Sequence, residues 1–161
     1  MGRRVPGAQA IVPDARANAL ASSPRQTFVL FPALTLFSQI LARRIAIHGY
    51  GVPLMVAGYL LYRGAGRYRE AHHAGPRGSA TPPDRLLTTG PYAYTRNPMY
   101  LGHLLFLTGL VVTSRSPVAL LCFLWQLVRL SDRVRVDEQR LETKFGDDHR
   151  AYVARVPRWF I

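Results

Sequence analysis

Residues 98–130 read PMYLGHLLFLTGLVVTSRSPVALLCFLWQLVRL, an apolar block at 98–114, a polar break at Ser114-Arg115-Ser116 and a second apolar block at 117–130. Asn97-Pro98 marks a helix start, with Asn as N-cap and Pro at the first helical position, where its missing N–H costs nothing. From Leu104 to Val112 the only polar side chain is Thr108. A soluble four-helix bundle would show a polar outer face recurring every ~3.6 residues, and this stretch has none. The short break predicts a helical hairpin.

Two further apolar blocks precede it, TFVLFPALTLFSQILA at 27–42 and IAIHGYGVPLMVAGYLLY at 45–62, joined by Arg43-Arg44. A spanning helix needs roughly 20 residues, about 17 at the least, to cross a ~30 Å hydrocarbon layer. Each block is marginal by that measure, but four of them in 161 residues are too many for a soluble core. The expectation is an all-α fold: an integral membrane bundle of about four transmembrane helices in two hairpins. Residues 1–26 read as a flexible tail with a short helix at 14–21, and residues 27–161 as the domain. Within it, 63–97 is a long loop and 131–161 an amphipathic tail.

The chain is 48% hydrophobic and carries a net charge of +12. Its basic residues lie between the apolar blocks and are not gathered on one face or arm, which argues against nucleic acid as a partner. The tail 1–26, the loop 63–97 and the segment from 131 hold 17 of the 21 basic residues. The two short connectors hold Arg43, Arg44 and Arg115. The positive-inside rule therefore places the long loop and both termini in the cytoplasm. The single cysteine, Cys122, has no intrachain partner for a disulfide and no Cys or His beside it for a metal. His72-His73 reads as a surface pair, and His48 and His103 as histidines hydrogen-bonded within the bundle. No metal site is expected.

The loop of about 35 residues is long for a compact domain, and such loops are either functional or disordered. Its early part, 75–84, is rich in Gly, Pro and Ser. Its later part, RLLTTGPYAYTRNP, is dense in leucines and aromatics, with a turn at Gly90-Pro91. A helix beginning at Asn97-Pro98 would aim its first N–H groups into this loop, where a carboxylate or phosphate is favoured. Spacing alone equally allows a plain capped helix, with Gly102 serving close approach either of another backbone or of a ligand. After residue 130 comes SDRVRVDEQRLETKFGDDHRAYVARVPRWFI. Asp137, Glu138 and Glu142 interleave with Arg133, Arg135 and Arg140 at helical spacing, and Gly146 is placed to end that helix.

Taken together, LLTTGPYAYTRNPMYLG, the four apolar blocks and DEQRLETKFGDDHRAYVARVPRW resemble the isoprenylcysteine carboxyl methyltransferases and the related bacterial phospholipid methyltransferases. The resemblance covers roughly residues 50–160. It implies an integral membrane enzyme of a bacterial inner membrane that uses S-adenosyl-L-methionine and acts on a lipophilic small molecule, a lipidated substrate or a membrane lipid. Carried over residue by residue, it places cofactor contacts on Asp84, Arg85, Leu86, Leu87 and Tyr92. It adds Asn97, Pro98, Met99, Tyr100 and Gly102 from the R-[HN]-P-x-Y-x-G element, and the acidic pair Asp137 and Glu138. Arg96, Arg133 and Glu138 are its candidate catalytic residues. This chain has Asn97 where the eukaryotic enzymes have His, and Asp137 where the acidic pair usually begins with Glu. Sterol and steroid reductases, which bind NADPH, also carry an R-x-P-x-Y-x-G element, but they are generally longer with more spans. A membrane protein that keeps the fold without the chemistry is a third reading, and the retained tyrosines, Arg96 and acidic pair argue against it.

Overall fold

The computed structural model describes residues 24–74 and 84–159. Residues 1–23 of the expected tail 1–26, with the helix at 14–21, and most of the Gly/Pro-rich stretch at 75–84 lie outside them, while residues 24–26 of that tail are helical. Among the described residues the secondary structure is helical throughout: α1 (Phe31–Leu41), α2 (Val52–Ala71), α3 (Pro98–Ser114) and α4 (Pro117–Arg155).

A widened π-helical turn, Gln26–Leu30, leads into α1, and the Phe31 N–H donates to the Gln26 carbonyl. Pro32 explains it: a proline one residue further on has no N–H for the ordinary i to i−4 bond, and its ring crowds that carbonyl. Thr27 of this turn is buried, and its Oγ1 lies 2.8 Å from Nδ1 of buried His103 on α3. Phe28 beside it packs against Tyr59, Tyr62, His103 and Phe106. The core continues through Phe31, Phe106, Leu107, Leu110 and Ala119.

The second apolar block does not become helical at 45. Residue His48 is extended, its N–H donates to the Thr113 carbonyl at 2.7 Å, and a 3-10 turn at Gly49–Gly51 precedes α2. Gln39 of α1 closes the same end, its Nε2 donating to the carbonyls of Ser114 and Ala46. Pro53, at the start of α2, suits a first helical turn, and the helix then runs past the apolar block through Arg63, Arg67 and Arg69 to Ala71.

Helix α2, with the 3-10 turn that leads into it, packs antiparallel to α3 on four glycines. Gly51 faces Gly109, and Gly58 faces Gly102, one pair two turns along from the other. A Cβ on Gly58 would lie 2.4 Å from the Phe106 N, and one on Gly102 would lie 2.7 Å from the Gly58 carbonyl oxygen. The atoms in the way are backbone, so nothing can turn aside. Small residues at such a seam let two helices meet main chain to main chain.

Helix α3 covers 98–114, the limits read from the sequence, and ends on Arg115 in the left-handed conformation (φ 45°). Ser116 then caps α4, accepting from the Val118 N–H at 3.2 Å, with Pro117 in the first turn. Helix α4 merges the fourth apolar block with the tail. Gly146 breaks it, at φ 51° and ψ −119°, a conformation open to glycine, and the chain resumes helix at 147–155.

No helix among the described residues is long and apolar enough to cross a membrane. At ~1.5 Å per residue α3 is about 25 Å long, and the lower half of α2 carries its arginines. Yet Phe37, Leu41, Leu60, Leu121, Leu124 and Val128 are among many large apolar side chains on the outside of the bundle.

The glycine seam is open to test. Gly58→Leu and Gly102→Leu should each lower the thermal unfolding midpoint of the purified protein, at a cost of about 3 kcal/mol from overpacking. Gly64→Leu, on the same helix but with nothing within 4 Å of its would-be Cβ, should leave the midpoint in place. Equal melting of all three variants would contradict this packing.

Candidate functional site

The site lies at the end of the bundle opposite the two short connectors, where loop 84–97 crosses from α2 to α3. Its path is fixed residue by residue. Leu87 is buried and Leu86 half-buried. Tyr68 of α2 is hydrogen-bonded to Thr89 at 2.7 Å. Gly90 follows at φ 60°, so close to the Tyr68 ring that a Cβ would lie 2.6 Å from it. A 3-10 turn at Gly90–Ala93 then delivers Tyr92. Its carbonyl accepts from the Tyr152 hydroxyl of α4 at 2.7 Å. Burial pushes the Tyr92 phenol above its usual pKa, with Arg69 pulling the other way. Burial likewise raises that of Tyr152.

Residues 95–97 bind a segment that the sequence motifs had given no role. The Arg96 N–H donates to the Pro157 carbonyl at 3.0 Å. The Thr95 hydroxyl and the Asn97 side-chain amide both donate to the Arg158 carbonyl, at 3.0 and 3.2 Å. Asn97 thus occupies the N-cap position of α3 without a side-chain cap bond, contrary to the sequence-based expectation. Its side chain is committed to residue 158 instead, and the first N–H groups of α3 have no intrahelical partner.

Two charge networks meet here, one for each member of the acidic pair on α4. The Tyr100 hydroxyl, one turn into α3, donates to Asp137 Oδ2 at 2.6 Å and accepts from Arg133 Nε at 3.0 Å. Arg133 and Arg140 lie 3.8 and 3.6 Å from the same carboxylate. Glu138 faces the loop. Its Oε1 is 2.9 Å from Arg96 Nη1, and Arg158 grips both oxygens, Nε to Oε1 at 3.2 Å and Nη2 to Oε2 at 2.6 Å. Charge-assisted bonds of this kind are roughly twice as strong as neutral ones, and the Arg fork adds orientation.

His149, on the helix after the Gly146 break, is buried, and its Nε2 has no hydrogen-bond partner among the described residues. The same holds for Nε of Arg96. Burial, then the nearby Arg96 guanidinium, hold the His149 imidazole below its usual pKa, with Glu138 and Glu142 opposing. These two buried nitrogens, without partners among the described residues, make a place for a polar ligand: the Arg96 Nε–H donates, and the His149 Nε2 donates or accepts according to its tautomer.

The structure thus joins Arg96, Asn97, Tyr100, Arg133, Asp137 and Glu138 at one end of the bundle. Asp84 stands apart, exposed and paired with Lys144 at 3.5 Å, and Arg85 is exposed. Pro98 is buried, Met99 half-buried, and Gly102 faces α2. The close approach that Gly102 permits is that of another backbone. Thr95, His149, Tyr152 and Arg158 escaped the sequence reading. The Gly146 break hides the last three, because nothing in the pattern says where residues 147–159 go, and Thr95 is silent because its partner is in that same segment.

The model of the phospholipid methyltransferase family matches residues 49–148. Over 139 residues the chain is 30% identical to a protein-S-isoprenylcysteine O-methyltransferase of Saccharomyces cerevisiae, covering 79% of this chain and 54% of that one. Over 75 residues it is 35% identical to the protein-S-isoprenylcysteine O-methyltransferase of Schizosaccharomyces pombe, covering 45% and 31% respectively. The chain therefore spans about half the length, or less, of these curated relatives. No solved structure matches it significantly.

The buried histidine gives a pH prediction. Its pKa is lowered on folding, so between the two values the unfolded chain binds more protons. The stability that neutral His149 permits is then full above the unfolded value of about 6.5 and lost as the pH falls toward the folded one. The thermal midpoint should drop as the pH falls below about 6.5, and His149→Gln should lose less over the same fall. An identical pH profile for the variant would show that His149 is not the titrating group.

Proposed function

The chain belongs to the phospholipid methyltransferase family, and on that footing we propose that it is a membrane-embedded enzyme transferring a methyl group from S-adenosyl-L-methionine to a lipophilic acceptor. The observation that carries this reading is the bond from Tyr100 to Asp137, with Arg133 completing it. It ties the R-N-P-x-Y element at the start of α3 to the acidic pair on α4, two motifs far apart in sequence.

The residues fit the cofactor by their chemistry. The first turn of α3, with the Arg96 Nε that has no partner among the described residues, suits the carboxylate of its amino acid head. Tyr92 and Tyr100 offer aromatic faces to a sulfonium, a contact worth about 0.5–2 kcal/mol. Leu86 and Leu87 offer apolar surface for adenine. Asn97, Pro98 and Met99 continue the proposed wall and Gly102 supports it through its packing, whereas the exposed Asp84 and Arg85 would reach the cofactor only at its rim. When bound, the cofactor supplies an electrophilic methyl group and leaves as a neutral thioether.

Arg96, Arg133 and Glu138 are proposed to orient the reactants. Both carboxylates are already held by guanidiniums, Asp137 also by Tyr100, so neither is a ready base. Four arginines (Arg96, Arg133, Arg140 and Arg158) surround these two carboxylates. That balance favours an acceptor that is already anionic, such as a carboxylate, over an ammonium that must first lose a proton. The curated relatives' names, which specify O-methyl transfer to prenylated cysteine, agree with an oxygen acceptor. Catalysis would then rest on positioning more than on acid–base work.

The membrane reading is supported by the exposed apolar side chains of α1, α2 and α4. Apolar patches above a few hundred Å² mark interaction or membrane surfaces. The arginine-rich site end would face the cytoplasm, so that the polar cofactor arrives from water and the acceptor sideways from lipid.

Purified protein should bind S-adenosylhomocysteine by calorimetry, and Tyr100→Ala and Glu138→Ala should each weaken binding about tenfold, or ~1.4 kcal/mol. Wild-type affinity in both variants would move the site elsewhere. Preferential binding of NADPH by the wild type would favour a reductase.

A further inference from the structure

Helix α4 stops at Arg155 because Pro157 follows: the residue before a proline is pushed out of the helical region, and Val156 sits at φ −120°, ψ 125°. Val156 is buried, and its N–H still donates to the Tyr152 carbonyl. The chain is thereby turned alongside residues 95–97, and its two next carbonyls, of Pro157 and Arg158, take all three hydrogen bonds offered there by Thr95, Arg96 and Asn97. The same Arg158 sends its guanidinium to Glu138.

We infer that residues 156–159 are the clasp of the site and that Arg158 is a positioning residue within it. Arg96 alone holds Glu138 through one nitrogen and one oxygen, which leaves the carboxylate free to rotate about its last bond. The Arg158 fork engages both oxygens and stops that rotation. Its carbonyl meanwhile accepts from the Thr95 hydroxyl and the Asn97 amide, the side chains on either side of Arg96, while the Pro157 carbonyl before it holds the Arg96 N–H. Arg158 therefore holds Glu138 with its side chain and brackets Arg96 with its carbonyl, next to the Pro157 carbonyl that takes the Arg96 N–H. A lysine would keep the charge and lose the fork.

The clasp is independent of the ligand, whereas its effect on binding rests on the cofactor reading above, so the test has two readouts. The first is amide hydrogen exchange without ligand, comparing residues 95–97 with residues 104–112 of α3 as a control for general loosening. Arg158→Ala should speed exchange at 95–97 about tenfold with the control unchanged, and Arg158→Lys should speed it nearly as much. The second is S-adenosylhomocysteine affinity. Arg158→Ala and Glu138→Gln should each weaken it about tenfold, and the double variant should be no weaker than the worse single one. Unchanged exchange at 95–97, full rescue by Lys, or losses that multiply in the double variant would each overturn the clasp. Should Arg158→Ala fail to fold, Arg158→Lys carries the exchange test alone. Absence of binding by the wild type would sink the cofactor reading and leave the exchange result to decide the clasp.

Discussion

The rest of the structure depends on the contact between α2 and α3, where four glycines let two backbones touch. The close pairs Gly51 with Gly109 and Gly58 with Gly102 act as a register lock, since a one-residue slip would drive a side chain into main chain. That register sets the lower end of α2, with Tyr68 and Arg69, beside the start of α3. The loop between them must then fold back over a short gap, and Gly90 against the Tyr68 ring is where it turns. The apolar packing of α1 and α4 around this pair adds burial, but the height of each helix end is decided at the seam.

Above the seam the chain concentrates its charge. Adjacent acidic residues on α4 serve different masters: Asp137 binds Tyr100, Arg133 and Arg140, and Glu138 binds Arg96 and Arg158. Helix geometry accounts for the division, since neighbours in sequence point about 100° apart around the axis. One carboxylate ties α4 to the start of α3, and the other ties it to the loop and to the segment beyond the last helix. Breaking a half-buried pair of this kind strands a charge, so the network rigidifies the site as a unit. Arrangements held this way need little rearrangement when a ligand arrives, which is what methyl transfer by positioning requires.

Much of this was legible in the residues. The limits of α3 follow from Pro98 and from the Ser-Arg-Ser break, and the pairing of the two short connectors at one end follows from the four blocks. The tyrosine, arginine and acidic pair expected to converge do so. The start of α2 was not legible, because the apolar stretch 45–48 looks like helix and is held extended by a bond to Thr113, a partner some 65 positions away. Asn97 carried the composition of a cap, yet its amide found a carbonyl sixty residues downstream. Gly146 does stop the helix, as its place in the sequence announces, but a second helix follows it at once. Such long-range bonds leave no periodic trace, and they are the ones that bring His149, Tyr152 and Arg158 to the site.

The central claim is methyl transfer to a lipophilic acceptor at this end of the bundle. Its most direct test supplies purified protein, in lipid, with S-adenosyl-L-methionine labelled in the methyl group and with a prenylated cysteine bearing a free carboxylate. Mass spectrometry then follows the label. The account predicts a base-labile labelled ester with the wild type and a loss of at least about tenfold (~1.4 kcal/mol) in rate with Glu138→Ala. Label absent from this acceptor and from the accompanying lipids, in a sample that remains folded, would contradict it.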